Sequence, residues 1–382
     1  MSAAVYFDHN ATTTLDPRVL EAMLPFLGSQ QGNPTSRHSY GRVARQAIDQ
    51  AREQVATAVG AHPSQVTFTS GGTEANNLAI KGIAATHTPS QIAVSAIEHP
   101  AASKPAQALL GRGWKVAKIN VLANGHIDFD QLEQVLQQRT TLISVMTANN
   151  ETGVLQDIAA IAEAAKRHGS LIHTDAVQAL GKIPLDFNAL GVNAMSVSAH
   201  KINGPQGVGA LILDKRVDIQ SQLDGGGQEK GLRSGTENIA AIVGFGLACE
   251  LASRELTQHS QHIGKLRAQL EQGLAELGAV IFGNEATRLP NTSFFAFPKV
   301  EGETLVMALD RQGFAVASGS ACSSDSEEPS HVLMAMGVEP EIARGAVRVS
   351  LGHSNTETQV DAFIRTLHNE ISKMKRMAAV AV

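Results

Sequence analysis

A lysine and an aspartate, each closing a β-rich run, set the chemistry this chain could carry. In VSAHKINGPQGVG, Lys201 follows AMSVSA and His200 and precedes a Gly/Pro turn. Lysine is ordinarily a solvated surface cation. Here its neighbours are small or apolar, and a desolvated amine loses proton affinity and becomes a nucleophile that condenses with carbonyls. Asp175 closes the earlier run SLIHTDA. A third feature is TSGGTEANNLAI, where an extended run meets Gly71 and Gly72, then Thr73 with helix formers behind it. Glycines let backbone approach an anion, and the free N–H groups of a helix start, with a Thr hydroxyl, hold phosphate. Taken alone, that motif reads equally well as an ordinary capped helix. It is not a Walker loop, because no Gly-Lys-Ser/Thr follows.

Together these are an amine for an imine, a carboxylate for a pyridinium nitrogen and a phosphate cup. That set points to pyridoxal 5'-phosphate. Other run ends agree. QIAVSAI leads to Glu98 and His99, TLISVMT to Asn149 and Asn150, SLIHT to Asp175 and Gln178, and AMSVSA to His200 and Lys201. Ligands of open α/β sheets bind beyond the carboxyl ends of the strands, so these endings converge on one crevice.

The elements that must position them alternate. SYGRVARQAIDQAREQVATAVG reads as a helix ending at Gly60, with Val43, Ile48, Val55 and Val59 on one side. QVTFTS, QIAVSAI, TLISVMT, SLIHTDA, AMSVSA and GALILD read as strands, with helices such as QDIAAIAEAAKRHG between several of them. Apolar strands alternating with helices predict a mainly parallel sheet covered on both faces. RELTQHSQHIGKLRAQLEQGLAELG reads as a long amphipathic helix, followed by shorter strands and helices. The expected organisation is α/β: a large domain over 15–252, and a smaller α+β domain from 1–14 and 253–382.

Composition narrows the function. The 382 residues carry a net charge of −5 and 43% hydrophobic residues, an ordinary globular balance without the basic excess of a nucleic-acid or anionic-membrane binder. No apolar run reaches the ~18 residues of a membrane span, and MSAAVYFDHN lacks a signal-peptide core. The two cysteines show no zinc spacing; Cys249 reads as a small buried residue, and no metal site is expected. HSQH reads as a solvated pair and Trp114 as packing. A soluble, cytoplasmic protein is expected.

The chain resembles the NifS/IscS-type cysteine desulfurases, of the class V aminotransferase group with fold-type I pyridoxal phosphate architecture. The resemblance runs nearly end to end through YFDHNATT, GNPTSRH, TSGGTEANN, IEHPA, NNETG, HTDAVQALGK, SAHKINGPQGVGAL, GGGQEKGLRSGTEN, SGSACSS with EEPSHVL, and VRVSLG. It implies that Lys201 holds the cofactor and shuttles the substrate's α-proton, while Asp175 keeps the pyridine nitrogen protonated. It places His99 on the ring face, Gly72, Thr73, Ser198 and His200 at the phosphate, and Gln178 at the phenolic oxygen. Thr236 would reach the phosphate of the partner subunit in a homodimer. Asn150 and Arg348 would grip the substrate carboxylate, with Asn33 in the same neighbourhood.

Cys322, in ASGSACSSDSEEPSHVL, matches the family's nucleophile: it would take the sulfur of L-cysteine as a persulfide and leave L-alanine. Only a thiolate attacks, so it needs activation, by His99 or by the substrate's own departing groups. The surrounding composition, 318–330, lacks an apolar anchor and predicts a segment free to move, with a reach on the order of 15–20 Å. That would let it deliver sulfur to acceptor or scaffold proteins for iron–sulfur cluster, tRNA or thio-cofactor synthesis. Gln206, His353 and the acidic Asp325, Glu327 and Glu328 depart from the family pattern and bear on which acceptor docks. A selenocysteine lyase or cysteine-sulfinate desulfinase would share everything up to Lys201. A Cys-His hydrolase using His331 or His353 leaves Lys201 and the phosphate cup unexplained, and a non-enzymatic sulfur carrier would need neither Lys201 nor Asp175.

Overall fold

The computed structural model describes residues 4–319 and 328–380. Its centre is a seven-stranded sheet of β1 (Val66–Thr69), β2 (Gln91–Ser95), β3 (Lys115–Ile119), β4 (Thr140–Ser144), β5 (Leu171–Asp175), β6 (Ala194–Ser198) and β7 (Gly209–Leu213). The spatial order is β1-β7-β6-β5-β4-β2-β3. Only β7 runs against its neighbours; the other pairings are parallel. The class is α/β, as the alternating pattern predicts. Strands β1, β2, β6 and β7 are buried throughout, which is why they read as continuous apolar runs rather than alternating ones. The edge strand β3, KVAKI, is half exposed and carries two lysines, so no apolar run marks it in the sequence.

Helices cover both faces. Ser39–Ala58 ends at Ala58, and Gly60 follows with φ of +61°, close to the expected stop. Its buried seam is Ala44, Ile48, Ala51 and Val55, not Val43, which is 47% exposed. Steps of four, three and four keep one face, whereas the five-residue step from Val43 to Ile48 turns well away from it. The long helix begins earlier than the amphipathic pattern implies. It runs unbroken over Ile239–Glu276, capped by the Asn238 side chain on Ala241 N. Its first half, IAAIVGFGLAC, is apolar all round and packs in the main core, where Cys249 is fully buried as expected. Its second half presents Leu266, Leu270 and Leu274 to a separate core with Phe7, Phe295, Val349 and Phe363. Trp114 packs in a third cluster against the other sheet face.

That separate core is walled by a four-stranded antiparallel sheet in the order Ala317–Ser318, Val347–Ser350, Thr292–Ala296, Val280–Ile281. The N-terminal strand Val5–Tyr6 pairs parallel with Phe314–Ala315. The segment after it then crosses to the large sheet: Thr13 N donates to His200 O, and Asp16 N to Asn203 O. This crossing brings residues 8–13 beside Lys201. Among the described residues, no helix is long and apolar enough to cross a membrane.

Candidate active site

A cavity of about 260 Å³ opens where β1, β2, β5 and β6 end, lined among others by Gly72, Thr73, Asn76, His99, Asp175 and Lys201. Met146, Asn150, Gln178, Ser198 and His200 complete most of its wall. The strand-end residues singled out by sequence therefore meet in one place. Three expected site residues stand apart. Asn33 is exposed, its side chain accepting from Thr35 N and Oγ1. Thr236 is exposed on the loop that follows Arg233. Arg348 is buried beside the cavity. Its Nη1 donates to Asn150 O at 3.0 Å and its Nη2 to Asp8 Oδ1 at 2.7 Å, while Nε has no hydrogen-bond partner among the described residues. Cys322 and most of its segment lie outside the described residues.

The phosphate-cup expectation rests on one turn. Strand β1 passes through Ser70 and Gly71 into helix Gly72–Ala85, and Gly71 has φ of +152°, open to glycine alone. A side chain on Gly209 of β7 would sit 2.7 Å from Gly71 C, so two glycines let the turn rest against the sheet. Glu74 fastens the turn, accepting from Ser70 N at 2.8 Å and from Arg233 Nε at 2.8 Å. Opposite, Ser198 Oγ is buried and without a hydrogen-bond partner among the described residues. A buried hydroxyl left unpaired beside free helix N–H groups is what an oxyanion would satisfy. The donors present fit a phosphate.

Asp175 closes β5 and is fixed by two donors, Asn76 Nδ2 at 2.7 Å and Val177 N at 3.0 Å. Asn76 lies one turn into the helix that starts at the cup; sequence reasoning passed over it within TSGGTEANN. His99 caps helix Pro100–Gln107, its Nδ1 accepting from Ala101 N at 3.1 Å. A ring nitrogen that accepts from an amide has no proton, so the neutral imidazole carries its hydrogen on Nε2. Burial favours that neutral form, lowering the pKa; Asp175 opposes the shift, and Lys201 and His331 add to it. His200, bonded through Nδ1 to Thr12 Oγ1, is pushed down to about 4 by burial and by Lys201 and Lys182. Glu98, directly before His99, is pushed up to about 8 by complete burial, and its Oε2 has no hydrogen-bond partner among the described residues.

Lys201 ends the 3-10 turn after β6, and its Nζ donates to Asn10 O at 2.5 Å and Ala11 O at 2.6 Å. Asn10 is the hub of the site. Its carbonyl also receives Gln178 Nε2, while its Nδ2 donates to Asn150 O and Thr292 Oγ1. Composition gives no sign of this role, because Asn10 meets its partners only when the N-terminal segment crosses between the sheets.

An open α/β sheet with an amine, a paired carboxylate and an oxyanion cup at its strand ends is the frame of a pyridoxal phosphate enzyme. The Aminotransferase class-V model matches residues 5–363, and the chain belongs to that family, whose cofactor is pyridoxal phosphate. It is 43% identical to cysteine desulfurase IscS of Aeromonas salmonicida, over 99% of this chain and 95% of that one. Among solved structures it resembles a NifS-like protein at 41% identity and a TM-score of 0.92, covering 97% of this chain and 99% of the other. It also resembles SspA in complex with cysteine, at 32% identity and a TM-score of 0.81, covering 92% and 99%.

Proposed function

We propose that the chain is a cysteine desulfurase: it removes sulfur from L-cysteine, leaves L-alanine, and takes the sulfur as a persulfide on Cys322. The observation that carries this is the convergence of Lys201, Asp175, His99 and Ser198 on one cavity in a chain so similar to desulfurases over nearly its whole length. Bound here, pyridoxal phosphate supplies an aldehyde for amines and a ring that accepts an electron pair from the substrate's α-carbon.

The chain's own groups do the rest. Lys201 Nζ anchors the cofactor, then removes and returns the α-proton. Asp175, an acceptor fixed by Asn76 and Val177, keeps the pyridine nitrogen protonated. Thr73, Ser198 and His200, with the N–H groups at Gly72, hold the phosphate. Gln178 would give its N–H edge to the phenolic oxygen, and His99, which lines the same cavity, would offer a proton from Nε2. Arg348 and Asn150 bind the substrate carboxylate. Cys322 thiolate attacks the substrate sulfur: an S–S bond forms as the C–S bond breaks, and the electron pair left on carbon is protonated to give alanine.

In this reading the enzyme is a cytoplasmic homodimer in which exposed Thr236 reaches the partner's phosphate, and sulfur passes to acceptor proteins. Residues 15–252 form the larger unit and 1–14 with 253–382 the smaller, a division supported by the separate core and the Val5–Tyr6 pairing. The test is turnover of L-cysteine by the purified enzyme. With a reducing thiol present to cleave the persulfide, alanine and sulfide should appear in equal amounts, and Cys322→Ala should abolish both while the cofactor's visible band remains. Full activity of that variant on cysteine would refute the assignment; loss on cysteine with selenocysteine turnover retained would confine the thiol to sulfur abstraction.

A further inference from the structure

Lys182 stands in the turns after β5, outside every role assigned above. Its Nζ donates to Gln178 Oε1 at 2.7 Å and to Asn10 Oδ1 at 3.0 Å, both neutral carbonyl oxygens. Burial holds the amine well below lysine's usual range, and Lys201 and Arg348 repel its charge further. His9 and His200 face it too. Behind it, Asp16, Glu255, His259 and His353 ring a small second cavity of about 70 Å³ that also touches Lys201.

The hydrogen bonds have a direction that follows from chemistry. Nζ donates to both amides, which two N–H bonds allow whether the amine is charged or neutral, so each amide turns its oxygen that way. Gln178 therefore presents Nε2 on its other side. One N–H goes to Asn10 O at 3.0 Å, the same carbonyl that meets Lys201, and the second is left for the cavity that Gln178 lines. Asn10 Oδ1 is shared between Lys182 and Asn291 Nδ2. One amine thus bridges both amides, joining Asn10 O and Asn291 Nδ2 in holding them.

We propose that Lys182 is a positioning residue: acting through Gln178 and Asn10, it aims the Gln178 N–H edge at the bound cofactor and holds the Asn10 carbonyl against Lys201. The inference rests on the pyridoxal phosphate reading above. Without Lys182, Gln178 keeps only its Nε2 bond to Asn10 O, so its N–H edge is held less firmly toward the ring, an oxyanion there has a weaker donor and the Lys201-linked cofactor keeps its proton to higher pH.

The test is a pH titration of the visible band of the holoenzyme, with apoenzyme affinity for pyridoxal phosphate followed by fluorescence. Lys182→Met should raise the titration midpoint by about one pH unit, a tenfold change in proton affinity, and weaken cofactor binding. Lys182→Arg, which keeps donors, should restore most of the midpoint. Gln178→Ala should shift it in the same direction, and adding Lys182→Met to that variant should move it little further. Should Lys182→Met fail to fold, Lys182→Gln is read the same way, since its amide can satisfy either orientation of Gln178. An unmoved midpoint overturns the proposal, and so does a shift that persists undiminished in the Gln178→Ala background. Borohydride reduction separates the two readings: with the cofactor trapped on Lys201, the titration alone judges Lys182. With nothing trapped on wild-type Lys201, the cofactor reading fails and this inference with it.

Discussion

Arg52 and Glu229 meet in a fork of two hydrogen bonds, each 2.7 Å, with their side chains 10% and 3% exposed. The guanidinium also donates to Val66 O and lies 4.8 Å over the Phe68 ring, while Glu229 Oε2 accepts from Phe68 N. The pair therefore ties helix Ser39–Ala58 and β1 to a loop that is held awkwardly: Glu229 and Lys230 have φ of 47° and 60°. The same loop sends Arg233 to Glu74 at the phosphate cup. Arg52→Met removes the cation and strands a carboxylate in the interior, which costs about 3–5 kcal/mol. Adding Glu229→Gln removes the stranded charge and keeps an acceptor for Phe68 N, so the double variant should regain about 2 kcal/mol of that loss. Urea unfolding of the holoenzyme, read by circular dichroism over the four-species cycle, measures both quantities. Arg52→Met should also weaken pyridoxal phosphate binding through Arg233 and Glu74. A single-variant loss under about 1 kcal/mol, or a double-variant loss equal to the sum of the singles, refutes the reasoning.

Other expectations follow from particular contacts. Asp175→Asn preserves shape but removes the charge opposite the ring nitrogen, and turnover should fall on the order of 10²-fold or more with the cofactor still bound; steady-state alanine release measures this. His173, buried between Ser144 Oγ and Ser196 Oγ, is pushed down to about 3 by burial. The unfolded chain binds that proton below about pH 6.5 and the folded chain does not, so stability is lost as pH falls across that window. His173→Gln should flatten the stability–pH slope there by about 1.4 kcal/mol per pH unit. A methyl group on Gly352 would meet the His9 ring 2.3 Å away, so Gly352→Ala should cost about 1–3 kcal/mol in thermal or urea unfolding.

Much of the site was legible because its residues close apolar strands. A buried parallel strand announces itself as an apolar run, and whatever follows the run stands at the carboxyl edge; His99, Asp175, His200 and Lys201 are legible that way. Residues that reach the site from elsewhere left no such mark. Asn76 sits inside a helix whose pattern says only that it is buried. Asn10 and Lys182 matter through a crossing of the N-terminal segment, which brings Asn10 to Asn150 and Lys182 from far away in sequence. The reading of His259 and His262 as a solvated pair misjudged their surroundings. Both are half-buried, His259 stacking on His353 at 4.6 Å and His262 bonding Asn355 O. Helical periodicity marks a polar face but does not say that the smaller unit's Gly352–Asn355 turn lies against it. Likewise β3 went unseen because an edge strand can afford lysines, and the long helix was cut short because its first half shows no polar face at all.

The central claim is a covalent bond between pyridoxal phosphate and Lys201 Nζ. Reducing the holoenzyme with borohydride and mapping its peptides by mass tests it most directly. The account expects one phosphopyridoxyl group per chain, on Lys201 and on neither Lys182 nor any surface lysine. Label on another residue, or none at all on enzyme that carries the cofactor, would contradict it.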